Sequence, residues 1–224
     1  MSTRRPHRTP PPADALEHLR RADPVMRELV DRLGPIEITT EPDLWWSLVD
    51  AIVSQQVSVY AAAAIVGRVA ALGSNGRPTP AEIAAADDET LRAAGLSRAK
   101  VRYVKDLAAR WLDGSLRHER IPGMSDEEVI AELTQVKGIG VWTAEMILIF
   151  TLGRPDVLPV DDLGVRVAAQ QLYGLPERPA RDELLRLGEP WRPWRTLASR
   201  YLWRSLGKTP VIAPDDPAAA KLTP

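Results

Sequence analysis

The sequence predicts an all-α fold. Apolar residues recur three or four positions apart along most of the chain, as in the stripe of Leu44, Leu48 and Ile52, and this spacing places them on one helix face. Residues that favour a helix start and glycines that favour a helix end recur along the chain. We find no repeat and no convincing strand pair, although residues 157–160 could be extended.

These signals place the helices in order. Residues 1–12 are rich in arginine, proline and threonine and should form a disordered tail. Asp23 before Pro24 predicts a helix start, and Gly34 predicts its end. Capping residues or early prolines predict further starts at Pro42, Ser58, Thr79, Ser97, Ser125 and Asp162. Helices are also expected over about 141–152, 180–188 and 193–206, within one domain over residues 13–208, and residues 209–224 are expected to be coil.

Composition excludes several classes of protein. The chain of 224 residues has no cysteine and only three widely spaced histidines, so we expect no disulfide, no iron–sulfur cluster and no metal site. Its longest apolar run is far shorter than the ~20 residues that span a bilayer, and no apolar signal segment follows the first residues. We expect a cytoplasmic protein without membrane contact. The net charge of −1 means that a nucleic-acid surface would be a local patch.

The most informative segment is residues 133–146, which read LTQVKGIGVWTAEM. Gly138, Ile139 and Gly140 permit a very tight turn between two helices, because glycine accepts positive φ. The N–H groups that open the second helix would form an anion site for a phosphate. A simple helix–helix turn with a capping glycine is the alternative, but the flanking apolar residues resemble the helix-hairpin-helix DNA-binding motif over its whole length.

A pair of carboxylates follows in residues 158–166, LPVDDLGVR. With the hairpin upstream, the chain resembles the HhH-GPD (helix-hairpin-helix) DNA glycosylases over roughly residues 40–206, and within them the 3-methyladenine DNA glycosylase II group in a compact form. The resemblance implies a two-lobed helical fold with the hairpin beside an interlobe cleft. It also implies a catalytic Asp at the mouth of the next helix. An ungapped alignment from Trp142 places that Asp on Asp162.

A carboxylate in this place suits the cleavage of an N-glycosidic bond. The reaction develops positive charge on the sugar, which a fixed carboxylate stabilises. Either Asp161 or Asp162 could instead be an ordinary N-cap. We assign catalysis to Asp162 and capping or support to Asp161, and an exchange of these roles is the alternative.

The resemblance extends to the base pocket and the reaction type. Bifunctional members carry a lysine two residues after the second hairpin glycine, where this chain has Trp142, so a monofunctional enzyme without lyase activity is expected. Aromatic rings bind cationic alkylated purines in this group. We assign the base pocket to Trp142, Met146, Leu163 and Trp203, with the alternative that the tryptophans serve the core.

Further contacts with DNA follow from the same resemblance. Gln56 matches the family's intercalating wedge, and a polar helix–helix turn is the alternative. Phosphate binding is assigned to four hairpin residues: Gly138, Ile139, Gly140 and Thr143. A basic cluster near residue 100 could contact phosphate or form a solvated face; it comprises Arg98, Lys100 and Arg102.

The sequence therefore predicts a monomeric, nucleoid-associated enzyme that flips alkylated purines from double-stranded DNA and hydrolyses them. No cofactor is expected, although the resemblance allows a monovalent cation at the hairpin carbonyls. Two alternatives stay open. One is a glycosylase for another damaged or mismatched base, and the other is a non-catalytic helix-hairpin-helix DNA-binding protein.

Overall fold

The computed structural model describes residues 6–207, and their architecture is all-α, as predicted. The helices of this part of the chain, in order, are α1 Ala13–Ala22, α2 Pro24–Leu33, α3 Leu44–Ser54, α4 Val59–Ala70, α5 Pro80–Ala85, α6 Asp88–Ala93, α7 Arg98–Asp113, α8 Asp126–Leu133, α9 Val141–Phe150, α10 Leu163–Leu172, α11 Arg181–Gly188 and α12 Arg195–Ser205. Short 3-10 helices lie at His118–Gly123 and Glu189–Trp191.

The predicted helix starts are confirmed by their caps, except that α3, predicted to start at Pro42, is capped one residue later by Asp43. Asp23 caps α2, Ser58 caps α4 and Ser97 caps α7, each by accepting a hydrogen bond from a backbone N–H of the first turn. Thr79 and Ser125 form complete capping boxes with the glutamates three residues later. Each of these helix starts is determined by residues that are adjacent in sequence, because one short polar side chain accepts hydrogen bonds from the free N–H groups of the helix that follows it.

The chain divides into two compact units, and among residues 6–207 the first is the segment Glu41–Ile147. Within it, α3 packs against α4 and α7, and α7 also packs against α5 and α6. The core side chains Leu48, Ile52 and Leu107 are completely buried. Leu48 and Ile52 of the predicted apolar stripe therefore belong to the core of this unit, whereas Leu44 is half-buried.

The second unit combines residues 6–40 with residues from 148 onward. Helix α12 packs against α2 and α10, and α1 packs against α2. The buried carboxylate of Asp23 joins distant parts of this unit, because it accepts hydrogen bonds from the hydroxyl of Tyr173 and, at 2.8 Å, from the indole N–H of Trp191.

A small antiparallel sheet corrects two expectations from the sequence. Strand β1, His7–Thr9, pairs with β2, Ile38–Thr40, with Arg8 opposite Thr39. The prediction of a disordered tail is therefore wrong for residues 7–9, as is the expectation of no strand pair. Both strands have three residues, too few for a recognisable alternating pattern. The rest of the predicted N-terminal tail before residue 6 and the predicted coil at 209–224 lie outside the described residues.

Candidate functional site

Asp162 occupies the mouth of α10, as predicted, and its carboxylate is buried. Its Oδ1 accepts the backbone N–H of Val165 at 2.8 Å, which makes Asp162 the N-cap of the helix. The same oxygen accepts the indole N–H of Trp203 at 2.8 Å. Two donors from different helices thus fix the orientation of this carboxylate.

Trp203 is held in place by close packing. Only 3% of its surface is exposed, and its ring stacks on that of Phe150 with centroids 5.8 Å apart. Gly164 permits this approach, because an added Cβ would lie 3.0 Å from Cδ1 of Trp203 and 3.1 Å from Oδ1 of Asp162. The sequence predicted Trp203 as a pocket aromatic, and the structure brings it into direct contact with the predicted catalytic residue.

The neighbours of Asp162 face solvent. The carboxylate of Asp161 is 61% exposed and pairs with Arg181 at 2.9 Å. It does not cap α10, so the expectation that Asp161 takes the capping role is wrong: Asp162 is the cap. Leu163 is also exposed, at 58%.

The predicted hairpin lies in the first unit, between α8 and α9. Gly138 has a φ of +85°, and a Cβ there would lie 2.3 Å from the ring of Tyr103, so glycine is required on both counts. Ile139 is buried, and its N–H donates to the carbonyl of Val136 at 3.1 Å. Gly140 is exposed just before α9, whose first-turn N–H groups have no acceptor within the helix.

Asp106, on α7, anchors this hairpin and was missed by the sequence analysis. Its carboxylate accepts the backbone N–H of Lys137 at 3.0 Å, pairs with Nζ of Lys137 at 3.2 Å and pairs with Arg110 at 3.0 Å. Burial raises the pKa of Asp106, but hydrogen bonds from Lys137 and Arg110 outweigh it and leave the pKa below its usual value. No local pattern announces this contact, because 31 residues separate the partners.

The predicted residues of α9 differ in exposure. Trp142 is half-buried near the start of the helix. Met146 is completely buried, and Thr143 is 5% exposed. All three belong to the first unit, whereas Asp162, Leu163 and Trp203 belong to the second.

Gln56, the predicted wedge, lies exposed in the loop between α3 and α4 with a φ of 55°. The preceding residue, Gln55, donates from Nε2 to the carbonyl of Gly138 at 2.8 Å. The structure therefore brings the predicted wedge loop and the predicted hairpin together. Lys100 donates to the carbonyls of Val53 and Gln55, so its ammonium group binds the start of this loop.

Two classes of feature are absent from the described part of the chain. Residues 6–207 contain no cluster of three or more histidine, aspartate or glutamate side chains that could hold a metal ion. None of their helices is long and apolar enough to cross a membrane.

A family model described as "HhH-GPD superfamily base excision DNA repair protein" matches residues 49–193. This match covers well over half of the chain and includes both the hairpin and Asp162. The chain belongs to the HhH-GPD superfamily.

Individual relatives and solved structures that resemble this chain support the superfamily assignment. DNA-3-methyladenine glycosylase 1 of Schizosaccharomyces pombe is 39% identical over 193 residues, covering 84% of this chain and 85% of the relative. A solved structure of S. pombe 3-methyladenine DNA glycosylase in complex with abasic DNA superposes with a TM-score of 0.78 at 38% identity, covering 86% of this chain and 96% of that one. The crystal structure of a DNA-3-methyladenine glycosidase from Bacillus halodurans superposes with a TM-score of 0.81 at 35% identity. The superposition covers 90% of this chain and 93% of that one.

The HhH-GPD match ends at residue 193, before α12 begins. Trp203 therefore lies outside the matched segment, whereas its hydrogen-bond acceptor Asp162 lies inside it. The family match thus covers Asp162 but not its hydrogen-bond donor.

Proposed function

We propose that this protein is a monofunctional DNA glycosylase that excises alkylated purines, of the 3-methyladenine and 7-methylguanine type, from double-stranded DNA. The observation that carries the proposal is the buried carboxylate of Asp162, held by Val165 and Trp203 in a chain of this superfamily. The names of the relatives at 34–39% identity support the substrate class.

Asp162 would stabilise the positive charge that develops on the sugar as the glycosidic bond breaks. A carboxylate preorganised by fixed donors needs little reorganisation in the transition state, which is the main source of electrostatic catalysis. It could also orient or deprotonate the attacking water. Because alkylated purines are often cationic, they leave readily and need little protonation.

The absence of lyase activity is proposed from the hairpin. The position where bifunctional members place their lysine is Trp142, which has no amine. The nearest lysine, Lys137, precedes the hairpin, and its Nζ is paired with Asp106 at 3.2 Å. Without a nucleophilic amine at that position, hydrolysis to an abasic site is the expected outcome.

DNA contacts are proposed at the hairpin and at the wedge loop. The exposed Gly140 and the first turn of α9 would bind a phosphate through backbone N–H groups. Ile139 and Thr143 are buried, and the N–H of Ile139 already donates to the carbonyl of Val136. Their proposed contribution is therefore to hold the turn in shape, and Gly140 lies nearest to the phosphate. Gln56 would fill the gap left by the extruded base, and Trp142 would stack on that base.

The remaining assignments are proposals of the same kind. Within the second unit, we propose that the exposed Leu163 contacts the base and that Trp203 holds Asp162 in place, with Asp161 in support through its pair with Arg181. Met146 is completely buried, so its proposed part in base binding is to support Trp142 within α9. We also propose a cytoplasmic, nucleoid-associated monomer that needs no cofactor. The carbonyls of the hairpin could accept a monovalent cation, since a carbonyl oxygen has two lone pairs.

The test is an excision assay on duplexes carrying 3-methyladenine or 7-methylguanine, with Asp162→Asn beside Asp161→Asn. We expect Asp162→Asn to lose at least about 10²-fold in rate while still binding DNA. Asp161→Asn should retain most of the activity, because its pair with Arg181 is exposed and an exposed ion pair contributes little. Borohydride should trap no covalent adduct if lyase activity is absent.

Other outcomes would favour the alternatives. Release of 8-oxoguanine or of a mismatched base, with no release of alkylated purines, would indicate another glycosylase. DNA binding without any excision would indicate a non-catalytic DNA-binding protein. Full activity of Asp162→Asn would overturn the assignment of the catalytic carboxylate.

A further inference from the structure

The loop between α3 and α4 contains a residue in an unfavourable backbone conformation. Among residues 6–207, Gln56 is the only residue other than glycine whose φ lies in the left-handed region, which L side chains rarely adopt. Such a conformation persists where the surrounding structure over-determines it. The contacts made by its neighbours therefore matter.

Lys100 provides the first of two ties to this loop. Its Nζ donates to the carbonyl of Val53 at 2.6 Å and to that of Gln55 at 2.7 Å. These carbonyls lie at the C-terminal end of α3, where carbonyls lack a donor within the helix and a cation is favourable. Lys100 belongs to α7, so the end of α3 is tied to that helix.

Gln55 provides the second tie, to the hairpin. Its Nε2 donates to the carbonyl of Gly138 at 2.8 Å, across 83 residues of sequence. Gly138 packs directly on the ring of Tyr103, which also belongs to α7. Helix α7 therefore supports both ends of the link, through Lys100 at the loop and Tyr103 at the hairpin.

We propose that Gln55 is a positioning residue that couples phosphate capture at the hairpin to the placement of Gln56 in the DNA. This inference rests on the proposed function. Phosphate bound at the start of α9 would fix the position of the Gly138 carbonyl relative to the strand. The bond from Gln55 then sets the distance from that strand at which Gln56 is presented. Loss of the bond would leave the hairpin amides intact but release the loop.

The predicted consequence is a separation of binding from extrusion. Without the Gln55 bond, the protein should grip undamaged duplex as before, because the phosphate-binding N–H groups are unchanged. It should extrude a damaged base less efficiently, because Gln56 is no longer held at the required position. A role confined to stability would instead reduce both in proportion.

The variant for the test is Gln55→Met, which keeps the length of the side chain and removes its donor. Gln55→Asn is a second variant, which keeps the amide but falls one methylene short of Gly138. The matched control is Gln135→Met, since Gln135 is an exposed glutamine close to the hairpin in sequence that bonds only within its own turn, to Ala131. Thermal unfolding verifies that each variant is folded.

Extrusion is measured by the fluorescence of 1,N6-ethenoadenine in a duplex, in an Asp162→Asn background that prevents excision. We expect both Gln55 variants to lower the extrusion equilibrium about five- to tenfold, the loss that one hydrogen bond of ordinary strength gives. Affinity for undamaged duplex should stay within about twofold, and Gln135→Met should match the parent.

A double-mutant cycle with Gln56→Ala tests the coupling itself. If Gln55 acts through Gln56, Gln55→Met should have no further effect once Gln56 is alanine. Additive losses, unchanged extrusion by both Gln55 variants, or an equal loss of affinity for undamaged duplex would each overturn the coupling alone. A parent protein that neither binds duplex nor extrudes the base would refute the proposed function, and this inference with it.

Discussion

The indole N–H of Trp203 donates to Oδ1 of Asp162 at 2.8 Å, and the same oxygen caps α10 by accepting the backbone N–H of Val165. One carboxylate oxygen thus serves helix capping and the contact with α12 together. Asp162 is therefore an N-cap whose carboxylate has a second donor, so the N-cap alternative does not exclude the proposed catalytic role.

Trp203→Phe should slow excision while leaving the chain folded. Phenylalanine retains the stacking on Phe150 but cannot donate to Asp162. A hydrogen bond to a charged group contributes about 1.5–3 kcal/mol, so we expect a loss of roughly 10- to 100-fold in the single-turnover rate.

The matched control is Trp191→Phe, which removes the same N–H group from the buried bond to Asp23. That change should lower stability without slowing the folded enzyme. Equal rates for Trp203→Phe and the parent would show that the indole does not position Asp162 for the reaction.

Gly138→Ala and Gly140→Ala should separate folding of the hairpin from phosphate binding. Gly138 has positive φ and no room for a Cβ beside Tyr103, so alanine there should destabilise the protein by more than about 1 kcal/mol. An added Cβ at Gly140 meets nothing within 4 Å. Thermal unfolding and titration with duplex DNA measure the two effects.

We expect Gly140→Ala to unfold near the parent temperature but to bind duplex more weakly, because the methyl group would stand where a phosphate approaches the main chain. Unchanged affinity in Gly140→Ala would argue against phosphate binding at this end of the hairpin.

Glu132→Gln should lower the free energy of unfolding at neutral pH and make that free energy depend less on pH below neutrality. The Glu132 side chain is fully buried and accepts the backbone N–H of Arg117 at 2.7 Å and its Nε at 2.9 Å. The hydrogen bonds from Arg117 hold the pKa of Glu132 below its usual value. We expect a loss on the order of 2 kcal/mol at pH 7.

The sign of the pH effect follows from the lowered pKa of Glu132. A carboxyl group with a lower pKa in the folded state contributes stability above its unfolded pKa of about 4.3, and that contribution is lost as the pH falls through the folded value. Urea unfolding from pH 7 to pH 3 measures it. Glu177→Gln, in an exposed loop, is the control, and an equally steep acid dependence in Glu132→Gln would contradict the assignment.

The sequence predicted those features of the fold that depend on interactions between residues close together in the chain. A single polar side chain before a helix satisfies that helix's own N–H groups, so the starts at Asp23, Ser58 and Ser125 were readable from a few residues. The tight turn at Gly138 was readable for the same reason. The assignment of Asp162 to the start of a helix depended on first recognising the hairpin that precedes it in the chain.

The contacts that organise the site could not be read in this way. The bond from Trp203 to Asp162 spans 41 residues, and the bond from Gln55 to Gly138 spans 83. Each depends on how helices pack, and a tryptophan or glutamine in a helical pattern does not reveal its partner. The strand pair formed by His7–Thr9 and Ile38–Thr40 was missed because so short an edge leaves no periodicity.

The second unit is discontinuous in the chain, and this has a consequence for how the protein emerges from the ribosome. The segment Glu41–Ile147 is contiguous, so its internal contacts do not depend on residues synthesised later. Asp23, in contrast, meets Tyr173 and Trp191 only after a further 150 and 168 residues have been translated. The buried hydrogen bonds that hold Asp23 in the second unit therefore cannot form until most of the chain has been translated.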